Sequence, residues 1–344
     1  MLNIGIIGAG RMGSNHASHL AKVPGARLAA VYDIDPARAT AFAEKYPEAK
    51  IMGSAQELAA SPEADLVIIA SPTCCHREGL LAAMAAKKPI FCEKPLCRTR
   101  EEFAELAPPI RAYPNFFAIG FVRRYAPATL MMQKLISEGK TGKLICASVC
   151  CLLGEFRRER GDWFADYGKS GGVMLDMLAH HCDLLAAVAG RPVSVYARAL
   201  MLDEAAPKPC DYVSATALFE GNCIANLECS WLRGGPSDTY ITFSGEKGSL
   251  KLSDRNGLSF FDLGGAESRI EPDPEVVARL PEGFASGSMY ACEMAAIVDC
   301  LRNGRPPFAG AEEAIRTMEF CLGMMESAES GRVVEVPAAG STTH

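Results

Sequence analysis

Near its start the chain runs Ile4, Ile6 and Ile7 directly into Gly8-Ala9-Gly10-Arg11-Met12-Gly13, and helix-forming sequence follows at once. No other stretch restricts the fold so far. A strand that ends in G-x-G-x-x-G and turns into a helix uses its first glycine for the tight turn. Its second lets the backbone approach a pyrophosphate, and its third lets helix pack closely on strand. Phosphates then sit at the positive helix N-terminus, where free backbone N–H groups point at them. Glycine punctuates many turns, so the loop alone is a weak signal. A second strand, Arg27 to Tyr32, ends in Asp33, about 20 residues past the last glycine, where the dinucleotide fingerprint places a carboxylate for the adenosine ribose hydroxyls. The alternative is that Asp33 only opens the turn Asp33-Ile34-Asp35-Pro36. The order of strand, glycines, helix and acid favours the dinucleotide. No Arg or Lys directly follows Asp33 to receive a 2′-phosphate, which favours NAD; Arg38 keeps NADP as the second choice.

The first third of the chain alternates strand and helix. Helices are expected over 11–23, 36–46, 55–60, 75–87 and 100–112, and strands near 50–52, 64–70, 89–92 and 116–121. Ala64-Asp65-Leu66-Val67-Ile68-Ile69-Ala70 is a continuous apolar run, as expected of a parallel strand buried on both faces. Repeated βα units imply a doubly wound parallel sheet with helices on both sides. Ligands bind at the carboxyl ends of such strands, where Gly8, Asp33, Ser71, Glu93 and Lys94 fall. With Gly10, Arg11, Met12, Gly13 and His76 they form the expected cofactor set. After residue 121 the pattern changes. Helices over 127–138 and 173–189 and strands near 143–153, 193–201, 211–219, 223–231, 238–244, 248–252 and 257–262 read as an antiparallel or mixed sheet. Two amphipathic helices, marked by Met294, Ile297, Val298 and Leu301 and by Ile315, Met318, Leu322 and Met325, close the chain. The expected fold class is therefore α/β, with a cofactor domain over 1–121 and a second α/β domain over 122–344 carrying a large open, mainly antiparallel sheet; a disordered tail is expected after Pro337.

The 344 residues suffice for two cores. A net charge of −6 argues against nucleic acid as a partner, and no apolar run reaches transmembrane length. The first strand begins at residue 2, which leaves no room for a secretory leader; a cytoplasmic location is expected. The 14 cysteines are scattered in apolar surroundings, so reduced, mostly buried thiols are expected. Cys74-Cys75 and Cys150-Cys151 lack metal-ligand spacing, and no metal is expected.

Two groups could carry chemistry. Lys94, in Glu93-Lys94-Pro95, ends a strand on the cofactor edge, where it would serve as hydrogen-bond donor and proton relay; the alternative is a surface lysine in a loop. In the second domain Asp176, His180 and Asp183 share one face of an otherwise apolar helix. That stripe is either the helix's solvated side or half of an acid/base site in which a carboxylate orients a histidine. Gly171-Gly172 would let something approach the helix start closely.

These residues resemble a known family. The glycine loop, Cys92-Glu93-Lys94-Pro95, Gly120-Phe121-Val122-Arg123-Arg124-Tyr125, and Ser170-Gly171-Gly172 followed by Asp176-x-x-x-His180-x-x-Asp183 are similar to the glucose–fructose oxidoreductase/inositol dehydrogenase (Gfo/Idh/MocA) family over nearly the whole chain. The resemblance implies a Rossmann domain and an α/β domain whose open sheet supports a homo-oligomer, a dimer or tetramer. It implies Lys94, Asp176 and His180 as the catalytic trio, a sugar or cyclitol hydroxyl as the site of oxidation, and substrate contacts from Arg123, Asp176 and His180. Cys150-Cys151 and Gly234-Gly235-Pro236 depart from the inositol branch. Trp163, beside Arg157, Arg158 and Arg160, could stack on a sugar ring; alternatively it pins a solvated loop. Rival readings are an NAD-retaining glycosidase and a sugar-sensing regulator that binds dinucleotide without turnover.

Overall fold

The computed structural model describes residues 1–153, 163–200, 211–231, 238–285 and 287–336. Arg157 to Arg160, Gly234-Gly235-Pro236 and the tail after Pro337 lie outside them. The chain forms two compact units, Met1–Ala126 with Ala278–Ile315, and Pro127–Val277 with Arg316–His344. The first unit thus runs past residue 121 and takes back a later segment that a single cut would assign to the second domain.

In the first unit the order is β1 (Leu2–Ile7), α1 (Arg11–Leu20), β2 (Ala26–Tyr32), α2 (Pro36–Lys45), β3 (Lys50–Ile51), α3 (Ala55–Ala60), β4 (Leu66–Ile69), α4 (His76–Ala85), β5 (Ile90–Cys92), α5 (Arg100–Arg111) and β6 (Phe117–Ile119). The strands form one sheet in the order β3-β2-β1-β4-β5-β6, all neighbours parallel. Leu66, Val67, Ile68 and Ile69 are each 0% exposed, the burial on both faces that their unbroken apolar run requires. Local sequence sets the helix starts. Asp35 caps α2 by accepting from the Ala37 N–H, with Pro36 in the first turn, and Thr99 and Glu102 form a reciprocal capping box on α5. Register does the rest. Ile7 lies opposite Tyr32 and Ile69, and Ile69 opposite Cys92. The residues just after these four positions, Gly8, Asp33, Ala70 and Glu93, therefore share one edge of the sheet. The strand order reverses between β1 and β4, the place where open α/β sheets take their ligands.

The second unit runs α6 (Pro127–Ser137), β7 (Leu144–Leu152), α7 (Tyr167–Ser170), α8 (Gly172–Asp176), α9 (Leu178–Ala189), β8 (Pro192–Leu200), β9 (Tyr212–Phe219), β10 (Cys223–Ser230), β11 (Asp238–Gly245), β12 (Gly248–Ser253), β13 (Gly257–Phe261), β14 (Glu267–Ile270) and α10 (Pro274–Val277). Next come α11 (Met289–Arg302), which belongs to the first unit, α12 (Ala311–Ser330), which enters the second unit at Arg316, and β15 (Val334–Glu335). The nine strands order as β14-β13-β12-β11-β7-β10-β9-β8-β15. The central β7–β10 pair is parallel and the others antiparallel. In β9 and β10, Val213, Ala215, Ala217, Phe219, Cys223, Ala225, Leu227 and Cys229 are buried while Ser214, Thr216, Ile224 and Asn226 face out, the period-two alternation of a sheet covered on one side. α9 packs on that inner face against β7 and β10, and Phe320 of α12 meets Phe219 edge-on at 5.5 Å.

Three features differ from expectation. The helix expected over 173–189 is broken at Met177, with a 41° bend between Tyr167–Asp176 and Leu178–Ala189. β14 and β15 are additional strands. Glu-Ser-Arg-Ile and Val-Glu carry no alternating apolar pattern; they become strands by pairing with β13 and β8. Among the described residues no single helix is long and apolar enough to cross a membrane.

Candidate active site

The three loop glycines separate by what demands them. Gly8 has φ of +96°, and a Cβ there would lie 2.5 Å from the Ser71 backbone nitrogen. A Cβ on Gly13 would lie 1.8 Å from the Gly8 carbonyl oxygen. Both positions are dictated by the chain's own packing. Gly10 is different: the nearest atom to its would-be Cβ is Arg38 Nη1, at 4.0 Å. Gly10 is also the N-cap of α1 and gives it no side-chain cap. Open space over an uncapped helix start is what a pyrophosphate needs.

Asp33 holds this loop. Its Oδ2 accepts from the Ala9 N–H at 2.7 Å and its Oδ1 from the Asp35 N–H at 2.9 Å. It therefore does open the turn that precedes α2, and it also ties the glycine loop to the end of β2. A carboxylate has lone pairs beyond these two bonds. Arg38 is exposed and lies 3.4 Å from Asp35 Oδ2. Ser71 Oγ is buried and meets no partner among the described residues. The open face of Gly10 and the orphaned Ser71 hydroxyl on one edge fit a dinucleotide. Arg11 and Met12 begin α1 beside them, exposed and half-buried.

At the end of β5 the residues alternate in role. Glu93 turns inward and is 6% exposed. Its Oε1 meets His16 Nε2 at 2.6 Å, and its Oε2 accepts from the Lys94 N–H at 3.1 Å. Burial pushes its carboxyl up, but the His16 hydrogen bond and the charges of His16, Lys94 and His76 outweigh it, and the net direction is down. A Cβ on Gly120, just past β6, would lie 3.1 Å from Glu93 Oε2, so a larger residue there would make the Glu93 carboxylate give by a few tenths of an ångström. Lys94 is half-buried, and the Lys94–Pro95 bond is cis. His76 is 1% exposed. Its Nδ1 faces the Pro95 carbonyl at 2.8 Å and its Nε2 the Ser71 carbonyl at 3.0 Å. It thereby braces the ends of β4 and β5. Burial lowers its pKa, partly offset by the Pro95 hydrogen bond and the Glu93 charge.

In the second unit Asp176 ends α8 and His180 lies in the first turn of α9, both half-buried. The break at Met177 means they do not share one uninterrupted helix. Asp183 does not continue a solvated stripe: it is 1% exposed. Gly171 also has a local cause. It is left-handed at φ +75°, and a Cβ there would lie 2.4 Å from Leu175 Cδ1, so it is the chain's own leucine that approaches. Trp163 is half-buried and packs on Phe164 with ring centroids 3.9 Å apart. Cys150 and Cys151 are buried in β7. Every described cysteine is a free thiol, and most are buried. Arg123 and Arg124 lie in the short 3-10 helix Val122–Tyr125 of the first unit; Arg124 Nη1 donates to the Phe308 carbonyl at 2.7 Å.

Two residues went unread in the sequence. His16 is 0% exposed on α1, and Glu293 is 0% exposed on α11. The signal for Glu293 was present, as a lone carboxylate in a face completed by Ala296, Ile297 and Cys300. His16 stands likewise among Gly13, Ala17 and Leu20.

Comparison with known proteins extends this picture. Residues 2–121 match the model of an oxidoreductase family with NAD-binding Rossmann fold, and residues 129–251 match the GFO/IDH/MocA C-terminal domain. An inositol 2-dehydrogenase of Acidothermus cellulolyticus is 33% identical over 54% of this chain, a match that spans only about half (52%) of that relative's length. The scyllo-inositol 2-dehydrogenase (NAD(+)) of Bacillus subtilis is 26% identical over 96% of this chain and 95% of its own length. Among solved structures, a levoglucosan dehydrogenase in complex with NADH superposes with a TM-score of 0.86 at 21% identity, covering 98% of this chain and 99% of that one; at that identity the likeness speaks for the fold. Two family models matched in order over most of the chain leave one assignment: it is an NAD-binding oxidoreductase of the Gfo/Idh/MocA family.

Proposed function

We propose that this enzyme transfers hydride between NAD and a secondary hydroxyl or ketone of a sugar, sugar derivative or cyclitol. The observation that carries the reading is Lys94, which follows the buried Glu93 on the same sheet edge as the glycine loop. The inositol dehydrogenases among its relatives support the substrate class. Gly8, Gly10, Arg11, Met12, Gly13, Asp33 and Ser71 hold the cofactor, and His76 and Glu93 brace that edge from within. Bound NAD supplies the hydride acceptor. His180 takes the hydroxyl proton as the alcohol is oxidised. Lys94 hydrogen-bonds the developing alkoxide and then the ketone oxygen. Asp176 orients His180 and the substrate, and Arg123 and Trp163 contact the substrate. NADP is the lesser cofactor, because Arg38 is engaged near Asp35.

Lys94→Ala and His180→Ala should each lower single-turnover hydride transfer by roughly 10²–10⁴-fold while NAD affinity barely changes. The double variant should be little worse than the worse single, since groups acting as a unit are non-additive. A panel of sugars, sugar acids and cyclitols, read by NADH absorbance, names the substrate. Near-normal transfer in a folded, NAD-binding Lys94→Ala protein would sink the assignment. Glycosidic cleavage without net NADH would put the chain with the NAD-retaining glycosidases.

The free, mostly buried thiols support a reducing compartment, the cytoplasm. The outer face of the second sheet carries Ile224 (46% exposed) and Tyr196 (37%), which supports a homo-oligomer formed through that face.

A further inference from the structure

Lys94 stands between two residues that buried histidines hold. On one side is Glu93, whose Oε1 meets His16 Nε2 at 2.6 Å and whose Oε2 accepts from the Lys94 N–H at 3.1 Å. On the other is Pro95, whose carbonyl faces His76 Nδ1 at 2.8 Å. An ionised carboxylate only accepts, so His16 donates through Nε2–H. A hydrogen bond to such a charged acceptor is shorter and stronger than a neutral one. His76 acts close by, joining the ends of β4 and β5. His16 reaches farther. It lies one turn past Gly13 on the buried face of α1, with Ala17 and Leu20. At Gly13 that helix sits so close to the glycine loop that a Cβ would strike the Gly8 carbonyl. β4 separates β1 from β5 in the sheet, so His16 joins a helix seated at the end of β1 to a strand end two places along. The ring itself is fixed. It is 0% exposed and stands edge-on to Phe91 at 5.4 Å and to Tyr290 at 6.1 Å, and such packing sets the direction in which Nε2 points.

We propose that His16 is a positioning residue for Lys94: acting through Glu93, it sets where the lysine stands relative to the glycine loop at the start of its own helix. One imidazole thereby ties the pyrophosphate end of α1 to the residue that meets the reacting oxygen. Without that donor Glu93 Oε1 loses its partner, and the carboxylate is no longer held toward the Lys94 N–H. A reacting group misplaced by about 1 Å can cost roughly 10²-fold in rate. The effect on catalysis rests on the reading of Lys94 as the hydrogen-bond donor to the reacting oxygen.

The test uses the full chain and two side chains at one position. His16→Leu removes the donor and keeps apolar volume, whereas His16→Gln keeps a side-chain N–H of similar reach. Amide hydrogen exchange followed by NMR needs no substrate. The Lys94 N–H should exchange about tenfold faster or more in His16→Leu and near the wild-type rate in His16→Gln, while the Ile68 N–H in the core of the sheet keeps its rate. In hydride transfer His16→Leu should lower kcat by about 10²-fold. The KM for NAD should stay within about twofold, and His16→Gln should regain most of the rate. Glu93→Leu cuts the same link and leaves no buried carboxylate behind, so it carries the test if His16→Leu does not fold. Its effects should match, and the double variant should be no worse than either single, because the two residues act in one chain of contacts. A Lys94 amide as protected in these variants as in wild type would overturn the positioning. Equal losses in His16→Gln and His16→Leu, or a matching rise at Ile68, would make His16 a packing residue and overturn it as well. Faster exchange with an unchanged kcat, in an enzyme that needs Lys94, would overturn its bearing on the reaction. If Lys94→Ala instead keeps hydride transfer, the catalytic reading fails, while the exchange rates still decide whether His16 places Lys94.

Discussion

The two sheets of this chain are made from comparably apolar strands, yet one is hidden on both faces and the other on one. In β4 four consecutive residues are fully buried, whereas β9 and β10 alternate buried with exposed. The central strands of the parallel sheet have no free face, so its candidate residues collect at the strand ends: Gly8, Asp33, Ser71, Glu93 and Lys94. The mixed sheet has an outer face to offer, and its candidate residues Asp176 and His180 come instead from the helical segment beside it. A doubly covered sheet concentrates function at an edge, and a singly covered one leaves a surface that can take a partner.

The largest effect expected is on the doubly buried strands. Ile68→Asn, at a position 0% exposed, should cost roughly 3–5 kcal/mol in urea unfolding, from lost packing plus an unpaired buried amide. A loss near that of a surface substitution would break the contrast between the sheets. Next come the loop glycines. Gly13→Ala, which drives a Cβ into the Gly8 carbonyl, should destabilise by about 1–3 kcal/mol or more. Gly10→Ala should leave the melting temperature near wild type yet weaken NAD binding by about tenfold or more, measured by titration calorimetry. Equal NAD affinity in Gly10→Ala would remove the pyrophosphate from that position.

Smaller and pH-dependent is the effect of Glu293. Its folded value is raised, so the native state binds a proton that the unfolded chain has released above the ordinary value of 4.5. The stability it contributes is therefore complete below that value and is lost as pH rises toward the folded one. Glu293→Gln should become more stable relative to wild type as pH climbs above 4.5, by up to about 1.4 kcal/mol per pH unit. A stability difference that shrinks with rising pH would reverse the sign and place a charge on Glu293. The smallest expected change is at Ile224, 46% exposed on the outer face. Ile224→Lys should alter urea stability of the dissociated chain by no more than about 0.5 kcal/mol, while light scattering shows a loss of assembly. An unchanged molar mass would move the proposed interface elsewhere.

Much of the cofactor edge was legible because it is local. Gly13 is required by a contact within one strand–loop–helix, Gly8 by its left-handed φ and by Ser71 at the end of the neighbouring β4, and Asp33 acts on the loop that its own strand adjoins. Where reading failed in the second unit, the cause was mostly local geometry that residue spacing does not carry, a helix break and a left-handed glycine. The spacing of Asp176, His180 and Asp183 suggested one helix face, but the bend at Met177 breaks the helix and Asp183 is buried. Gly171-Gly172 suggested a ligand's approach, and at Gly171 the approaching group is Leu175.

The sequence by itself determined the alternation of the first sheet, the glycine loop with its acid, and the family, since sterics at glycine and the periods of strand and helix act over a few residues. Only the tertiary structure decided that Asp33 clamps the loop, that His76 braces two strand ends, and that residues 278–315 return to the first unit. It alone set His16 against Glu93 and buried Glu293 on α11. Burial and the fields of neighbouring charges arise when α1 and α11, almost the length of the chain apart, pack together, and no local pattern in either helix encodes what the other brings.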